Sequence, residues 1–592
     1  SVTNLTKQNR YQLFLRRIWV ILYDYYFLHG MVHVYAKIGQ SSFFLIWAIA
    51  TGILTGCAIV LIRLIAGSLE EVFLFHNYPV SLTPILIFAP LAGIAVSCAI
   101  KSWLSHSNSS ADMTLLIQSI RERNPKLIKL ETLSHIFASS LTVGTGGSAG
   151  LTTPSVLTGA SIGGNIGRML HIAPDKSIRL MSCGTAAGIA AIFGSPIAGV
   201  LFAVEVLLPQ MSIGTLVPVL LAAASATVIA QITLGSMPFF HMPVHAWAVE
   251  TIPLYAVLGV FCALTGIYMI RTNYALSEKL MRWFPKTGRR MLAGGFLVSV
   301  LILLLPTLSG EGIFFIQELL REHTLNGAPI SFLGSLGVSQ TASVLLLAGM
   351  LVLIKIIATS VTLACGGSGG FFAPSLFTGA FAGFLLERFF HLFHWQKTDD
   401  ANFIALGMCG VFTSTFHAPL TGIFLVVEMT GSYALMIPLI VVGAISYFIT
   451  VFFEDSSIYT RAPHAYDDAY APESNPDDPT TIALLVNRNF TPISAENTPD
   501  WKSIIASADG NDFPVLDKNG MLLGIVRRNL VSDSETAIFD LASLITHPLG
   551  VVKTTDSPLL VRAAMKIFSL DQLPVTDSRR RFAGFISKDK IG

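Results

Sequence analysis

The sequence has few charged side chains for its length, since charged residues make up 12% of the 592 residues. Hydrophobic residues make up 52%, and the mean hydropathy is +0.64. This composition excludes an ordinary water-soluble enzyme and is typical of a protein that lies in a lipid bilayer. We therefore expect membrane lipid around it, and neither enzymatic activity nor a nucleic-acid partner. The net charge of +2 does not indicate which ion is carried, because conduction depends on the local field.

Cysteine is also scarce, and no two of the six cysteines form a CxxC pair. Each of them lies in an apolar segment. This pattern excludes a dense disulfide framework and a thiolate zinc site. We expect the cysteines to serve only in packing, and we expect no metal site.

A cleaved secretory signal is not predicted, because aromatic and polar residues follow the first Lys and Arg residues of segment 1–39. A basic loop lies at 271–290. Lys and Arg near the ends of membrane spans stay on the cytoplasmic side. We therefore expect segment 1–39, this loop and the polar C-terminal tail to be cytoplasmic. The short loops and compact tail favour a bacterial inner membrane.

Long, weakly charged stretches recur along the membrane part of the sequence, which ends at Tyr459. They lie at 42–62, 84–100, 218–234, 251–270, 291–305, 341–354 and 435–452. Several approach or reach the roughly 20 residues that cross the hydrocarbon layer. Others are short or are interrupted by Gly and Pro, as in transporters with discontinuous helices. The sequence predicts an all-α polytopic membrane domain that contains broken helices.

One long motif occurs twice in this region. The pattern GGSxGxxxPSxxTGAxxG starts at Gly146 and again at Gly366. A second match, at a slightly larger spacing, pairs Phe193, Pro196, Gly199, Val204 and Glu205 with Phe416, Pro419, Gly422, Val427 and Glu428. The repeat predicts a membrane domain at 40–459, with halves at about 40–270 and about 290–459. Such halves often cross the membrane in opposite senses, which predicts inverted repeats.

The polar tail contains a repeat of its own. PVLDKNGMLLGIV starts at Pro514, and the related segment PVTDSRRRFAGFI starts at Pro574. Each copy predicts a strand, a turn and a second strand. Residues 460–480 are rich in Pro, Asp and Ser, which predicts a linker. A soluble α+β pair is therefore expected over 481–592.

Both glycine-rich motifs precede a helix-forming stretch, so backbone N–H groups should point out of a first helical turn. The helix dipole adds partial positive charge at that end. Neither loop contains Lys or Arg, and a fixed buried cation would hold an anion too tightly for rapid passage. Small residues can also serve only for close packing of membrane helices. Two matched copies, one in each half, favour an anion path.

These motifs resemble those of the CLC family of chloride channels and chloride/proton antiporters, over about residues 40–592. The family's GREGP segment is represented by Gly150, Leu151, Thr152, Thr153 and Pro154. Its GxFxP segment is represented by Gly370, Phe371, Phe372, Ala373 and Pro374. The resemblance implies that these loops bind chloride, together with Tyr459 near the end of the last membrane helix. Asn108 stands at the position of a family serine, although a surface loop is an equally good interpretation there.

Two positions depart from the antiporter pattern of the family. The Glu of GREGP, which acts as a gate and carries a proton, is replaced by Thr152, which cannot ionise. The inner proton-transfer Glu is replaced by Val206. Since coupled exchange needs titratable groups, the resemblance implies a passive chloride channel without a glutamate gate. Glu205 recurs in the other half as Glu428, which favours a structural role for both.

Two other functions stay open at this point. A chloride/proton or fluoride/proton antiporter would need other proton groups, of which His417 and Glu205 are the nearest candidates. A membrane sensor that does not conduct is disfavoured, because Phe371, Phe372 and Tyr459 are present.

The resemblance further implies a homodimer with one pore in each subunit and tandem CBS domains at 481–592. The CBS nucleotide signature Ghh[ST]xxD is incomplete, since Lys590 replaces its Asp in the second copy. We therefore expect no adenine nucleotide or other cofactor.

Overall fold

The computed structural model describes most of the chain up to residue 461 and parts of the tail. The described residues are 40–75, 88–104, 113–121, 132–170, 172, 174–207, 213–235, 247–322, 339–393, 399–461, 482, 485–488, 490–494, 501–508, 512–518, 520–528, 552–554, 561, 565, 572–577 and 581–587. Segment 1–39 and Asn108 lie outside them, as does nearly all of the predicted linker. The chain divides into two compact units, 1–463 and 464–592.

The first half of the membrane unit is helical. Its helices are α1 (Gln40–Glu70), α2 (Ala89–Leu104), α3 (Met113–Arg121), α4 (Thr132–Gly144), α5 (Thr152–Met169), α6 (Pro174–Phe193), α7 (Pro196–Phe202) and α8 (Ile213–Leu234). Short π-helical turns follow α1 at Glu71–Phe75 and α7 at Ala203–Leu207.

The second half repeats this pattern and begins with a long helix that packs on its other helices and starts before the predicted boundary at about 270–290. Its helices are α9 (Ile252–Trp283), α10 (Thr287–Leu304), α11 (Ile313–Glu322), α12 (Gln340–Ala364), α13 (Phe372–Leu392), α14 (Asp400–Phe416), α15 (Pro419–Thr430) and α16 (Met436–Phe453). Single 3₁₀ turns lie at Val249–Thr251 and Pro306–Leu308.

Six helices of the described residues are long and apolar enough to cross a membrane. They overlap six of the seven predicted stretches and lie at Phe43–Phe73, Thr215–Leu234, Val249–Trp283, Thr287–Leu304, Gln340–Ala364 and Met436–Phe453. The seventh stretch, at 84–100, contributes to the shorter helix α2. Broken helices are present as expected, since α7 and α15 start at Pro196 and Pro419 and are short.

The two glycine-rich motifs have the same local conformation. Gly146 and Gly366 have φ values of 100° and 101°, which lie in the left-handed region that favours glycine. The next residue in each copy, Gly147 or Gly367, donates its N–H to the carbonyl of Thr142 or Thr362 at 2.8 and 3.0 Å. The repeat read from the sequence is therefore a structural repeat as well.

Equivalent helices pack at equivalent glycines in the two halves. A Cβ atom at Gly159 of α5 would lie 2.0 Å from the carbonyl oxygen of Gly184 in α6. A Cβ atom at Gly379 of α13 would lie 2.4 Å from the carbonyl oxygen of Gly407 in α14. Only glycine permits these close helix crossings, which fix α5 and α13 and thus the loops at their N-termini.

The tail unit contains two small sheets of three strands. One consists of β1 (Ile493–Ser494), β2 (Asp512–Leu516) and β3 (Leu522–Arg527), and the other of β4 (Val552–Lys553), β5 (Gln572–Thr576) and β6 (Phe582–Ser587). In each sheet the first two strands are parallel, and the last two form an antiparallel hairpin. Val515 pairs with Gly524 as Val575 pairs with Gly584, so the predicted repeat of the tail is confirmed. A helix, α17 (Trp501–Ser507), belongs to the first copy.

Candidate anion site

The two glycine-rich loops meet directly in front of the helices that they begin. Gly150 and Gly370 form an isolated antiparallel bridge, and the Gly150 N–H donates to the Gly370 carbonyl at 2.9 Å. These residues lie just before the first residues of α5 and α13. The N-termini of two helices from different halves therefore lie next to each other.

Each helix start presents backbone donors that its own helix does not use. Ser155 donates to the Leu151 carbonyl and Ser375 to the Phe371 carbonyl, at 3.0 and 2.8 Å, so regular helix bonding begins at these two residues. The N–H groups before them in the first turn have no partner within the helix. In the first loop these are the N–H groups of Thr152 and Thr153, and in the second loop they are those of Phe372 and Ala373. Both ends carry the positive pole of a helix dipole.

The side chain of Tyr459 reaches the first loop. Its hydroxyl forms a 2.8 Å hydrogen bond with the hydroxyl of Thr153. A Cβ atom at Gly370 would lie 1.9 Å from that same Thr153 oxygen, so glycine is required at this position. The buried hydroxyl of Thr152 has no hydrogen-bond partner among the described residues, although a buried hydroxyl normally has one. Thr152 thus offers an unused donor beside the helix start.

A cluster of aromatic rings packs around Phe372. Its centroid lies 4.6 Å from the ring of Phe412 and 5.1 Å from that of Phe193. Phe416 contacts both Phe372 and Tyr459, with centroid separations of 5.6 and 5.0 Å. This buried apolar wall leaves the polar surface of the site to backbone N–H groups and hydroxyls.

Glu205 and Glu428 cap helices of the opposite half. Glu205 accepts the N–H groups of Leu420 and Thr421 at 2.9 and 2.8 Å, at the start of α15. Glu428 accepts those of Ile197 and Ala198 at 3.0 and 2.9 Å, at the start of α7. The predicted structural role of both glutamates agrees with these contacts. Val206 follows Glu205 in the π-helical turn and packs against the core.

Residues 92–451 match the family model for voltage-gated chloride channels. The chain belongs to this family. The match covers both halves of the membrane unit, including the two loops and both capping glutamates, so the protein is a multi-pass membrane protein of the CLC family.

Relatives of the chain include proteins named as chloride channels and proteins named as H⁺/Cl⁻ exchange transporters. It is 31% identical to chloride channel protein CLC-e of Arabidopsis thaliana, over 53% of this chain and 45% of that protein, so the match spans less than half of the plant protein. It is 28% identical to a putative chloride channel protein ClcB-like of Ralstonia nicotianae, over 63% and 82%. It is also 28% identical to the H⁺/Cl⁻ exchange transporter ClcA of Vibrio cholerae, over 54% and 67%.

Solved structures share the fold. A slow cyanobacterial Cl⁻/H⁺ antiporter superposes with a TM-score of 0.61 at 21% identity, over 74% of this chain and 99% of that one. A eukaryotic CLC transporter superposes with a TM-score of 0.60 at 17% identity, over 92% and 97%. The second likeness extends beyond the membrane unit into the α+β tail.

A group of charged side chains that was not predicted from the sequence lies beside the first loop. The Leu151 N–H donates to Oε1 of Glu311 at 2.7 Å. Lys355, fully buried in α12, donates to the carbonyls of Leu308 and Gly310, both at 2.9 Å. A Lys or Glu inside an apolar stretch is the signal that could have drawn attention to them. The two glycine-rich loops contain no Lys or Arg, but the buried ammonium group of Lys355 lies near the first of them.

The described part of the predicted site comes together as follows. The loops that contain Gly150, Leu151, Thr152, Thr153, Gly370, Phe371, Phe372 and Ala373 are adjacent, and Tyr459 contacts the first of them. The N–H groups of Gly150 and Leu151 already have protein acceptors.

His417, a candidate proton group, is the left-handed C-cap of α14. Its ring lies edge-on to Tyr447, at a centroid distance of 6.2 Å.

Glu205→Ala and Glu428→Ala should each lower the apparent melting temperature of the detergent-solubilised protein. Each change leaves two helix-start N–H groups without an acceptor, and Glu205→Ala also removes the acceptor of the Thr421 hydroxyl. Each buried donor left unsatisfied costs about 1–3 kcal/mol. The exposed Glu318→Ala on α11 is the matched control and should melt like the unaltered protein. A melting temperature equal to that of the control for either cap variant would contradict the cap assignment.

Proposed function

We propose that this CLC protein is a passive chloride channel that conducts through the space between the two helix starts. The observation that carries the proposal is the direct pairing of the Gly150 and Gly370 loops, which places two sets of helix-start N–H groups side by side. Partial charges from such groups suit an anion that must bind and leave quickly. The unused hydroxyl of Thr152 and the hydroxyl of Tyr459 supply further donors.

Proton coupling is disfavoured by the residues along the family's proton route. Thr152 and Val206 cannot ionise, and Glu205 is occupied by two backbone N–H groups and the hydroxyl of Thr421. A carboxylate whose oxygens are held by three donors is poorly placed to reorient and pass a proton onward. Conduction is therefore proposed to be uncoupled from proton movement.

The second candidate function is chloride/proton or fluoride/proton antiport through other proton groups. The names of relatives favour it, since the Vibrio cholerae ClcA is an H⁺/Cl⁻ exchange transporter. A solved CLC-type fluoride/proton antiporter also shares the fold, with a TM-score of 0.54 at 23% identity over 70% of this chain and 96% of that one. A coupled exchanger would have to replace both missing glutamates.

The proposal extends to the assembly and the tail. We place one pore in each subunit of a homodimer, with both termini cytoplasmic and the protein in a bacterial inner membrane. Asn108 is proposed as a further contact of the anion path. The α+β tail is proposed to be a CBS pair that packs without a nucleotide, since Lys590 stands where the nucleotide signature has Asp.

Reconstituted protein distinguishes the two functions. In liposomes with a chloride gradient and a clamped potential, the reversal potential should follow the chloride gradient alone. Imposing a pH gradient should leave it unchanged, because no proton crosses with the anion. A reversal potential that moves with the pH gradient would establish antiport instead.

Thr152→Glu tests the position assigned to the gate. A carboxylate there would compete with chloride for the N–H groups of α5 and should lower flux about tenfold near neutral pH, a barrier of about 1.4 kcal/mol. Thr152→Gln is the matched control, since it has a similar size and no charge. The difference between the two variants should shrink on acidification, as the introduced carboxylate is protonated. Equal fluxes at every pH would show that position 152 lies off the anion path.

A further inference from the structure

The segment that carries Glu311 is tightly fixed between the two halves. Its neighbours Gly310 and Gly312 both have positive φ, 55° and 82°. The Gly310 N–H donates to the carbonyl of Gly146 in the first glycine-rich motif at 3.3 Å. A Cβ atom at Gly312 would lie 2.4 Å from the ring of Phe377 in α13. The backbone therefore holds the Glu311 side chain against the first helix start.

Glu311 differs from the two capping glutamates in what it binds. Glu205 and Glu428 each accept two backbone N–H groups at helices α15 and α7. Among the hydrogen bonds described for Glu311, only the Leu151 N–H donates to it, at 2.7 Å. That donor directly precedes the N–H of Thr152, at the helix start where the anion is proposed to bind. Glu311 as a residue also remains partly exposed.

The charges around Glu311 come from two membrane helices. Arg63 and Glu70 lie on α1 and Lys355 on α12, and all three interact electrostatically with Glu311. When all four groups are ionised, the two cations balance the two carboxylates. Lys355 is itself fixed by two carbonyls, so its charge is held in place. Protonation of Glu311 would change the net charge beside Leu151 by one unit.

We propose that Glu311 is a proton-operated competitor of the anion at the first helix start. As a carboxylate, it occupies the Leu151 N–H and places negative charge beside Thr152, which opposes chloride there. As a neutral acid, formed by taking a proton from water, it loses that charge, and chloride can bind. When the proton returns to the water, the carboxylate closes the position again. This inference rests on the proposed anion path and supplies it with a gate from a different part of the chain.

Glu311→Gln provides the test, because glutamine keeps the shape and an oxygen acceptor for Leu151 but cannot ionise. For the unaltered full-length protein in liposomes, chloride efflux should be at least about fivefold faster at about pH 5 than at about pH 7.5, where a carboxyl group is more fully ionised. Glu311→Gln should lose this ratio and conduct at a similar rate at both pH values. The exposed Glu318→Gln on α11 is the matched control and should keep the ratio.

A purely structural role predicts a different result. In that case Glu311→Gln, which preserves the contact, would keep the pH ratio of the unaltered protein, and the proposal would be overturned. Efflux of the unaltered protein that does not change with pH would overturn it as well. Failure of the proposed passive conduction is measured separately, as a reversal potential that shifts with an imposed pH gradient. That result does not depend on the ratio of efflux rates that Glu311→Gln shows at the two pH values.

Chloride binding gives a measurement that needs no variant. Calorimetric titration of the detergent-solubilised, unaltered protein with chloride should show affinity several-fold tighter at about pH 5 than at about pH 7.5, because the competing carboxylate is neutralised. Equal affinities at the two pH values would overturn the proposal, even if Glu311→Gln failed to fold.

Discussion

The arrangement of the site depends on one backbone contact, the hydrogen bond from the Gly150 N–H to the Gly370 carbonyl. It joins loops from the two different halves of the membrane unit and brings the positive poles of α5 and α13 together. Close glycine crossings between α5 and α6 and between α13 and α14 hold both helices in position. The absence of a side chain at Gly370 is equally important, since it leaves room for the Thr153 hydroxyl that binds Tyr459.

The duplication also explains how Glu205 and Glu428 stabilise the structure around the site. Both are carboxylates within the membrane unit, and both are bound by backbone N–H groups. Each half supplies one glutamate, and each glutamate satisfies the helix-start N–H groups of the other half. An unpaired carboxylate in that environment would be costly, and so would unpaired N–H groups. Because each glutamate accepts N–H groups of the other half, neither the carboxylates nor these N–H groups are left unpaired. The oxygens of Glu205 are thereby bound to donors of the other half, which supports the proposal that Glu205 does not carry protons.

Much of this was predictable from the sequence because the chain contains its own comparison. The repeat identified the two loops, and the recurrence of Glu205 as Glu428 indicated a structural role for both. The contact between Glu311 and Leu151 was not predictable, because it joins distant parts of the chain and GEG at 310–312 has no counterpart in the repeat. The acceptors of Lys355 were not predictable either, because they are backbone carbonyls that only the fold brings close to it.

The central claim is that an anion binds between the two helix starts through backbone N–H groups. Anomalous diffraction from crystals grown in bromide tests it most directly, because bromide replaces chloride and can be located by its own scattering. The account predicts a bromide ion within hydrogen-bonding distance of the helix-start N–H groups of α13 and near the hydroxyl of Tyr459. A bromide ion bound elsewhere in the membrane unit, with none between these two loops, would contradict it.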